Sequence, residues 1–532
     1  MKLKSSITPQ QLFNDVSTPN IQRSTFPRNH FKQLTFDASK LIPVTWDRVY
    51  PGDTMKMAVS GQVRYNTLLN PIQANQYLDF HAFFVPLRLV WDNAKKFFGE
   101  QEDPDDSIDF TLPHITLPNP GCDFGSNYDY LGVPPQRGNN VQISADILRA
   151  IHKTWNRWFR DQNLQDSVYA PTDDGPDTFA NYSDLLPRGK RKDAFTSALP
   201  WPQKGDAITI SLGDTAPLQY ATSTQVQTIN IASSGSPIGN TTLTTNGSGG
   251  LESSGGTGLQ LAVNEIEADL SNASLLTINA LRQYNMMQVY LENDARGGTR
   301  YNESTYVHFG VMSEDSRVQD PELIGYNSTL VDVTAIPQQS ETGTTPQGNL
   351  AAMGTISFMN EHLYNKSFTE HGVTFVLASV RTDQVYQQGL HRNWSLETRF
   401  DFYTPEFAHL GEEAIPNKEL YLQATSVVDG YGNEVNLNPF GYQERYYYMR
   451  YMESQTADRY RSEHPQSLDS WHLAQEFASM PTLNSDFIQE NAPIDRVVAV
   501  NTEPDFNGEF LFDYECTRPM PIRSIPSLMD RM

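Results

Sequence analysis

The stretch MKMAVSGQVRY at residues 55–65 places mostly apolar residues at odd positions and polar or small residues at even positions. A two-residue period of this kind is typical of a β-strand with one buried face. The stretch YLDFHAFFV at residues 77–85 is apolar on both faces, as expected of a strand inside a sandwich, and Pro86 ends it. GVTFVLASV at residues 372–380 and EFLFDYECT at residues 509–517 predict two further buried strands.

The predicted strands form an early and a late group, and pairing between strands from both ends of a chain is typical of a Greek-key sandwich. The sequence therefore predicts a mainly β fold, a single jelly-roll β-sandwich with long loop and helical insertions between its strands. We expect one domain over residues 1–532. Its parts are a basic N-terminal arm (1–33), large insertions (100–350) that include a surface loop (205–272), and C-terminal strands and interface segments (360–532).

Three segments between the strand groups predict helices. Residues 144–160 place their apolar side chains on one stripe, with Ser144 as the candidate N-cap. Residues 274–292 and 467–478 predict the second and third helices. The basic residues of the first helix are expected on a solvated outer face; they are Arg149, Lys153, Arg157 and Arg160.

The charge of the chain is strongly negative, with a formal net charge of −24 over 532 residues. This excludes a protein that coats nucleic acid with its whole surface, because the phosphate backbone would repel it. Both ends nevertheless carry a small excess of basic residues, which indicates either a side that faces nucleic acid or ordinary solvated termini. The candidate nucleic-acid-facing residues are Lys2, Lys4, Arg23, Arg28, Lys32, Arg518 and Arg523.

The chain has two cysteines, Cys122 and Cys516, which excludes a disulfide framework and a cysteine-based zinc site. Folding in a reducing cytoplasm fits this usage. The first 20 residues contain no apolar stretch of the kind found in signal peptides. No apolar run approaches the roughly 20 residues of a membrane helix. We therefore expect a soluble protein, made in a cytoplasm, without membrane insertion.

The sequence contains none of the GxxxxGKS/T, GxGxxG, GxSxG or HExxH motifs, so no nucleotide site, nucleophile elbow or zinc protease site is predicted. An acidic run at residues 100–109 offers carboxylates that suit Ca²⁺, but it lacks the EF-hand spacing, and Pro104 favours a solvated loop. We expect no cofactor, with calcium as the one candidate ion. Paired carboxylates for glycoside cleavage stay open, because their separation in space is not readable from sequence.

Tyrosine and arginine are concentrated in GYQERYYYMRYM at residues 441–452. These residue types are enriched at protein interfaces, and they also stack on unpaired bases. A packed strand with its tyrosines in the core is an equally good interpretation. The candidate subunit-interface residues are Tyr442, Arg445, Tyr446, Tyr447, Tyr448, Arg450 and Tyr451.

Eight motifs along the chain resemble, in the same order, those of the major capsid proteins of gokushoviruses, the small single-stranded DNA bacteriophages of the Microviridae. The most specific are DARGGTRY (294–301) and SLDSWHLAQEF (467–477). The others are LTFDASKLIPVTWDRVYPGDT (34–54), FFVPLRLVWDNAKKFFGE (83–100), LPWPQKG (199–205), TINALRQ (277–283), NPFGYQERY (438–446) and TRPMPIRSIPSLMD (517–530). In DARGGTRY we expect structural roles, with Arg296 at the carbonyls of a helix end and two glycines reversing the chain. Its residues are Asp294, Arg296, Gly297, Gly298, Arg300 and Tyr301.

The resemblance implies a single jelly roll that tiles a T=1 icosahedral shell around a circular single-stranded DNA genome. It also implies a protrusion at the threefold axes, formed here by residues 205–272, where 19 of the 28 residues at 231–258 are Gly, Ser or Thr. The implied partners are further copies of the chain, the genome, a small basic DNA-binding protein, assembly factors and a host surface receptor. The implied location is the virion capsid, after synthesis and assembly in the cytoplasm of a bacterial host.

We favour a shell protein that is not an enzyme, and two other functions are alternatives to it. The first is a jelly-roll carbohydrate-binding adhesin, and the second is a glycosidase on a β-sandwich. Neither explains motif matches along the entire chain, so we favour the shell.

Overall fold

The computed structural model describes residues 22–208, 218–220, 229–231, 243–245, 251–253, 259–261, 266–268, 278–331, 335–337, 350–353 and 356–523. The chain divides into two compact units. The larger unit consists of Met1–Pro202 with Asn293–Met532, and the smaller one is Gln203–Glu292. Among the described residues, no helix is long and apolar enough to cross a membrane.

Two antiparallel sheets form the centre of the larger unit. The first has the order β1/β2–β9–β4–β7, where β1 and β2 both pair with β9, and the second has the order β6–β5–β8–β3. The strands are β1 (Ser24–Pro27), β2 (His30–Phe36), β3 (Ile42–Val49), β4 (Thr54–Tyr65), β5 (Gln76–Pro86), β6 (Glu322–Val331), β7 (Ile356–Ser367), β8 (Gly372–Thr382) and β9 (Phe506–Arg518).

The strand order identifies the fold. Counting β1 and β2 as one interrupted strand gives eight positions, which read 1-8-3-6 in one sheet and 5-4-7-2 in the other. The first and last strands are neighbours, and the chain passes repeatedly between the sheets, as in a double-sheet jelly roll. The predicted mainly β sandwich is therefore confirmed. Because β6 belongs to the second sheet, the predicted insertion region 100–350 also contains a strand of the sandwich.

The main core lies between the two sheets. Val59 and Phe510 from the first sheet pack in one cluster with Phe80 and Val376 from the second. The ring centroids of Phe80 and Phe510 are 5.3 Å apart in an edge-to-face arrangement, which suits the charge distribution of aromatic rings.

A second core covers the outer face of the second sheet. Helix α1 (Asp146–Thr154), continued by a π-helical turn at Trp155–Phe159, packs there. Phe83 and Phe375 from the sheet cluster with Ile147 and Trp155 from this helical segment. The second core explains why residues 77–85 are apolar on both faces, since each face of β5 meets a different core.

The remaining elements are short or lie in the insertions. Helices α2 (Ile278–Arg296) and α3 (Tyr301–Phe309) are the longest, and the rest are single turns at Ala94–Phe97, Asn127–Tyr130, Asp315–Val318 and Ser485–Ile488. 3₁₀ turns occur at Leu87–Leu89, Phe179–Tyr182, Arg392–Ser395, Pro405–Phe407, Asn417–Glu419, Val435–Leu437, Tyr447–Met449, Asp458–Tyr460, Asp469–Trp471 and Ile494–Arg496. Short strand pairs join His114–Thr116 to Gln142–Ser144, Ala335–Pro337 to Leu350–Met353, and Glu412–Pro416 to Pro439–Glu444.

The described residues of the smaller unit include three antiparallel strand pairs, nested in sequence. They join Leu218–Tyr220 to Ile266–Ala268, Ile229–Ile231 to Leu259–Leu261, and Leu243–Thr245 to Leu251–Ser253. The sequence patterns of residues 208–212 and 225–231 predict strands; residues 229–231 form one, and residues 209–212 and 225–228 lie outside the described part.

The third predicted helix, at residues 467–478, is wrong. Only a 3₁₀ turn at Asp469–Trp471 forms. The backbone N–H of Gln475 bonds the carbonyl of Val385 at 2.8 Å instead of a carbonyl four residues earlier. Long-range backbone bonding therefore overrides the local helical pattern.

The details of the first helix also differ from the prediction. Ser144 ends a short strand and accepts a hydrogen bond from Arg48 Nη2 at 2.8 Å, while Asp146 is the first helical residue. Arg149 is buried, not solvated, because its Nε donates to Asp177 Oδ2 at 2.7 Å. Lys153 Nζ likewise bonds the carbonyl of Leu89, at 2.6 Å.

Candidate functional site

Asp47 on β3 forms ion pairs with basic residues from both ends of the chain. It forms an ion pair with Arg28, accepts a hydrogen bond from Tyr514 Oη at 2.8 Å, and lies 3.2 Å from Arg518 Nη2. Arg518 Nε also donates to the buried Asp53 at 3.0 Å. Burial and the nearby carboxylate of Asp47 raise the pKa of Tyr514, which keeps its hydroxyl a donor. We call Asp47, Asp53, Arg28, Arg518 and Tyr514 the terminal clasp.

Two further basic residues of the predicted arm also bond within the chain. Lys32 Nζ donates to the carbonyls of Tyr130 and, at 3.2 Å, of Pro43, and burial lowers its pKa to about 8. Arg23 Nη2 donates to Thr54 Oγ1 at 2.9 Å.

These side chains therefore fasten the terminal strands to the sandwich, and a genome-facing role stays a prediction for Arg23, Arg28, Lys32 and Arg518. Arg523 is exposed, and its role stays a prediction. Lys2 and Lys4 lie outside the described residues.

The tyrosine cluster is only partly available to a second subunit. Tyr446, Tyr447 and Tyr448 are buried inside the chain, where Tyr446 precedes the 3₁₀ turn that contains the other two. Tyr447 Oη donates to the buried Glu419, which Arg392 Nη1 also binds at 2.8 Å. Burial raises the pKa of Tyr447, so it remains protonated.

The interface prediction is corrected for the side chains of these three buried tyrosines, since their rings pack against their own subunit. Tyr442, Arg445 and Tyr451 are partly exposed and Arg450 is exposed, so their place at an interface stays a prediction.

The DARGGTRY motif joins α2 to α3. Arg296 at the end of α2 forms ion pairs with Glu412 and, at 3.5 Å, with Glu444, so its partners are carboxylates and the predicted bonding to helix-end carbonyls is wrong. Arg450 binds the same Glu444. Asp294 Oδ1 lies 2.9 Å from His308 Nε2, which ties the two helices together.

The second half of the motif forms the turn. Gly298 has a φ of +91°, a left-handed conformation that favours glycine. The carboxylate of Glu303 accepts the backbone N–H of Arg300 at 3.1 Å and also binds the Arg300 guanidinium. Tyr301 remains 75% exposed. The motif therefore forms the turn between α2 and α3, where the sequence predicts a chain reversal at its glycines.

The acidic run at residues 100–109 shows no arrangement for a metal. Asp106 Oδ2 accepts the backbone N–H groups of Glu102 and Asp103 at 3.3 and 3.4 Å, and these bonds lower its pKa. Among the residues that the structure describes, no group of three or more His, Cys, Asp or Glu side chains could hold a metal ion.

Sequence reasoning missed two features. The first is an exposed aromatic segment at residues 394–431, in which Trp394 is 81% and Tyr431 94% exposed. Its only sequence signal is the aromatic-rich FDFYTPEF at residues 400–407. The second is a cavity of about 430 Å³ lined by basic side chains, whose sequence signal is RGKRK at residues 188–192.

Comparison with known proteins decides the family. A family model described as "Capsid protein (F protein)" matches residues 14–528, nearly the whole chain. The chain belongs to this capsid protein family. Among its relatives, the capsid protein VP1 of Bdellovibrio phage phiMH2K is 42% identical over 98% of each chain. VP1 of Chlamydia phage 1 is 38% identical over 97% of each chain, and VP1 of Spiroplasma virus 4 is 35% identical over 96% of each chain.

Membership of the capsid protein family confirms the resemblance to gokushoviruses of the Microviridae. It also gives the chain a structural role, self-assembly into a shell, and a place in the virion. The jelly roll is the body of the subunit, and the terminal clasp links both ends of the chain to Asp47 on β3.

Proposed function

We propose that this capsid protein is the major subunit of a T=1 icosahedral shell that encloses a circular single-stranded DNA genome. The observation that carries the proposal is similarity to capsid proteins along nearly the full length, on a chain that folds as a jelly roll. A jelly roll is a rigid building block, and copies related by rotations about several axes close into a shell. The adhesin and glycosidase alternatives do not require similarity of this extent.

The exposed aromatic segment supports contact between copies. Soluble monomers rarely expose large groups of apolar side chains, and such groups mark interaction sites. In a closed shell these side chains would be buried between neighbouring subunits, where aromatic residues are enriched. Besides Trp394 and Tyr431, the exposed apolar side chains of the segment are Phe400, Phe402, Tyr403, Leu410, Leu422, Val427 and Val428.

The charge of the chain supports separate roles for the shell subunit, which encloses the genome, and a second protein, which neutralises it. With a net charge of −24, the shell subunit cannot neutralise much DNA, so a small basic protein is the expected partner inside the shell. To residues 205–272, most of which lie outside the described residues, we assign the outer protrusion that meets the host surface receptor. Assembly takes place in the bacterial cytoplasm with the help of assembly factors.

The test is nuclease protection after co-production of the chain, its basic partner protein and a circular single-stranded DNA in bacteria. We expect intact circular DNA to survive nuclease treatment and to sediment with the capsid protein. Omission of the capsid protein is the control and should leave the DNA unprotected. Assembled shells without protected DNA would contradict the genome-enclosing function.

A further inference from the structure

A cavity of the larger unit is lined by an unusual number of cations for an acidic chain. Its volume is about 430 Å³, and its lining includes seven basic and two acidic side chains. We call it the basic pocket. The basic residues are Arg160, Arg188, Lys190, Lys192, Arg296, Arg300 and Arg381, and the acidic ones are Asp161 and Glu303.

Four of these cations have carboxylate partners. Lys192 Nζ binds Asp161 at 3.1 Å, Arg381 Nε binds Asp79 at 2.8 Å, and Arg300 and Arg296 pair with Glu303 and Glu412. The other three, Arg160, Arg188 and Lys190, form no ion pair within 4.0 Å in the described part of the chain. These three are therefore the cations of the basic pocket that lack a direct ion pair.

Arg188 and Lys190 are the most deeply desolvated of the three. The Nε of Arg188 has no hydrogen-bond partner among the described residues, and its guanidinium lies 4.7 Å from the ring centroid of Phe159. Lys190 is 4% exposed, its Nζ also lacks a hydrogen-bond partner there, and the acid that acts on it most strongly is Glu490. Burial lowers the pKa of Arg188 to about 9 and of Lys190 to about 8. Keeping both groups charged without an anion beside them is therefore unfavourable in free energy.

Arg160 and Arg300 add like charges at the same cavity. Arg300 Nη2 donates to the backbone carbonyl of Arg160 at 3.1 Å, and burial together with the positive charge of Arg300 lowers the pKa of Arg160. The Nε atom of each has no hydrogen-bond partner in the described residues. An anion would relieve this repulsion and supply the missing acceptors at once.

We propose that the basic pocket binds a phosphate group of a single-stranded DNA backbone. Several convergent guanidinium groups suit the planar, multi-oxygen geometry of a phosphate better than a single carboxylate. Trp158, which also lines the pocket, keeps 38% of its surface exposed and offers a ring on which an unpaired base stacks. Among the basic residues at the chain ends, Arg28 and Arg518 already have carboxylate partners within the chain.

That the phosphate comes from DNA rests on the proposed genome-enclosing function, whereas phosphate binding by the basic pocket does not. The experiment measures binding of a fluorescent oligo-dT to the full-length protein by anisotropy, over a series of salt concentrations. The variants are Arg188→Gln and Arg160→Gln, the second being the milder change because Arg160 is only partly buried. Arg317→Gln is the matched control, since its side chain is 78% exposed and lies away from the pocket lining.

We expect each pocket variant to raise the Kd for oligo-dT about tenfold, as for removal of one charge-assisted hydrogen bond. The slope of log Kd against log salt should become shallower by about 0.7 for each phosphate that the variant no longer binds. Arg317→Gln should change neither quantity by more than about twofold. Equal affinity of the wild type and both pocket variants would overturn the proposal.

Thermal unfolding of the wild type with and without inorganic phosphate provides a measurement that does not depend on folding of the variants. We expect phosphate to raise the unfolding temperature more than chloride of equal ionic strength does. Stabilisation by phosphate without oligo-dT binding would overturn the assignment to a DNA strand. Electron microscopy of the same samples separates the two claims, because a failure to form shells affects the proposed function and leaves phosphate binding measurable.

Discussion

At the residue scale, Arg149 is a side chain that the sequence predicts to be solvated and that the fold buries. Its helix is amphipathic, but the loop that contains Asp177 covers the polar side, so the guanidinium is buried with a carboxylate that is itself inaccessible. Asp177 also accepts a hydrogen bond from Tyr182 Oη at 2.7 Å. The amphipathic period of the helix is readable from the sequence, whereas the loop that covers it comes from 28 residues away.

Arg149→Met tests the buried pair. The change leaves Asp177 charged and without its cation, which should lower the free energy of unfolding by about 3–5 kcal/mol. Arg157→Gln, on the same helical segment but with a side chain that is 41% exposed, should cost less than about 1 kcal/mol. Urea denaturation followed by tryptophan fluorescence measures both, and similar small costs would show that the pair is not buried in solution.

Glu453 predicts a pH dependence. Burial, with the carboxylates of Glu419 and Asp193 nearby, raises its pKa from 4.5 to about 7. His391 Nε2 lies 3.9 Å away. The folded state therefore binds this proton more tightly than the unfolded state, so its stabilising effect is complete below pH 4.5 and is lost as the pH rises to about 7.

Glu453→Gln removes this titration. The stability of the wild type relative to the variant should fall steadily from about pH 4.5 to about pH 7, because only the wild type must ionise a buried carboxyl. Urea midpoints of both proteins, measured at intervals across this range, give the difference. A difference that is independent of pH would contradict the raised pKa.

At the scale of elements, the sequence predicts strands well where burial repeats locally. Residues 55–65, 77–85, 372–380 and 509–517 lie within strands β4, β5, β8 and β9. It predicts the N-terminal segment poorly, since β1 and β2 are recognisable as strands only by their pairing with β9, which lies more than 450 residues away. Their basic composition therefore suggests a free arm, although the terminal clasp holds these residues on the sandwich.

Because β5 lies between the two cores, we expect side chains on both of its faces to be essential for stability. Phe80 points into the main core and Phe83 into the second core, and both side chains are fully buried. Phe80→Ala and Phe83→Ala should each lower the free energy of unfolding by about 3–5 kcal/mol. Leu511→Ala on β9, where the side chain is 50% exposed, is the control and should cost less than about 1 kcal/mol. A small cost for Phe83→Ala alone would refute the second core.

At the scale of the whole molecule, the candidate sites were the hardest part to predict. The motifs identify the family because they are contiguous, but the availability of a cation or a tyrosine depends on which distant carboxylate or loop meets it. Arg28 and Arg518 meet Asp47, whereas Arg188 and Lys190 meet no compensating ion pair in the described part of the chain. Composition alone does not separate these two cases.

The exposed aromatic segment predicts a defect in assembly without a defect in folding. Trp394→Ala removes a large apolar side chain that is 81% exposed, so the unfolding temperature should change little while the yield of shells falls at least about fivefold. Trp394→Phe keeps an aromatic ring and should retain most of the yield. Sedimentation measures the yield, and wild-type yield for Trp394→Ala would place the interface elsewhere.

Electron microscopy of the purified protein, with and without circular single-stranded DNA and the basic partner protein, tests the central claim most directly. We predict uniform closed particles with T=1 icosahedral symmetry, in which jelly rolls tile the shell and residues 205–272 account for density at the threefold axes. Stable monomers or small open oligomers under every condition, including the complete mixture, would contradict the account.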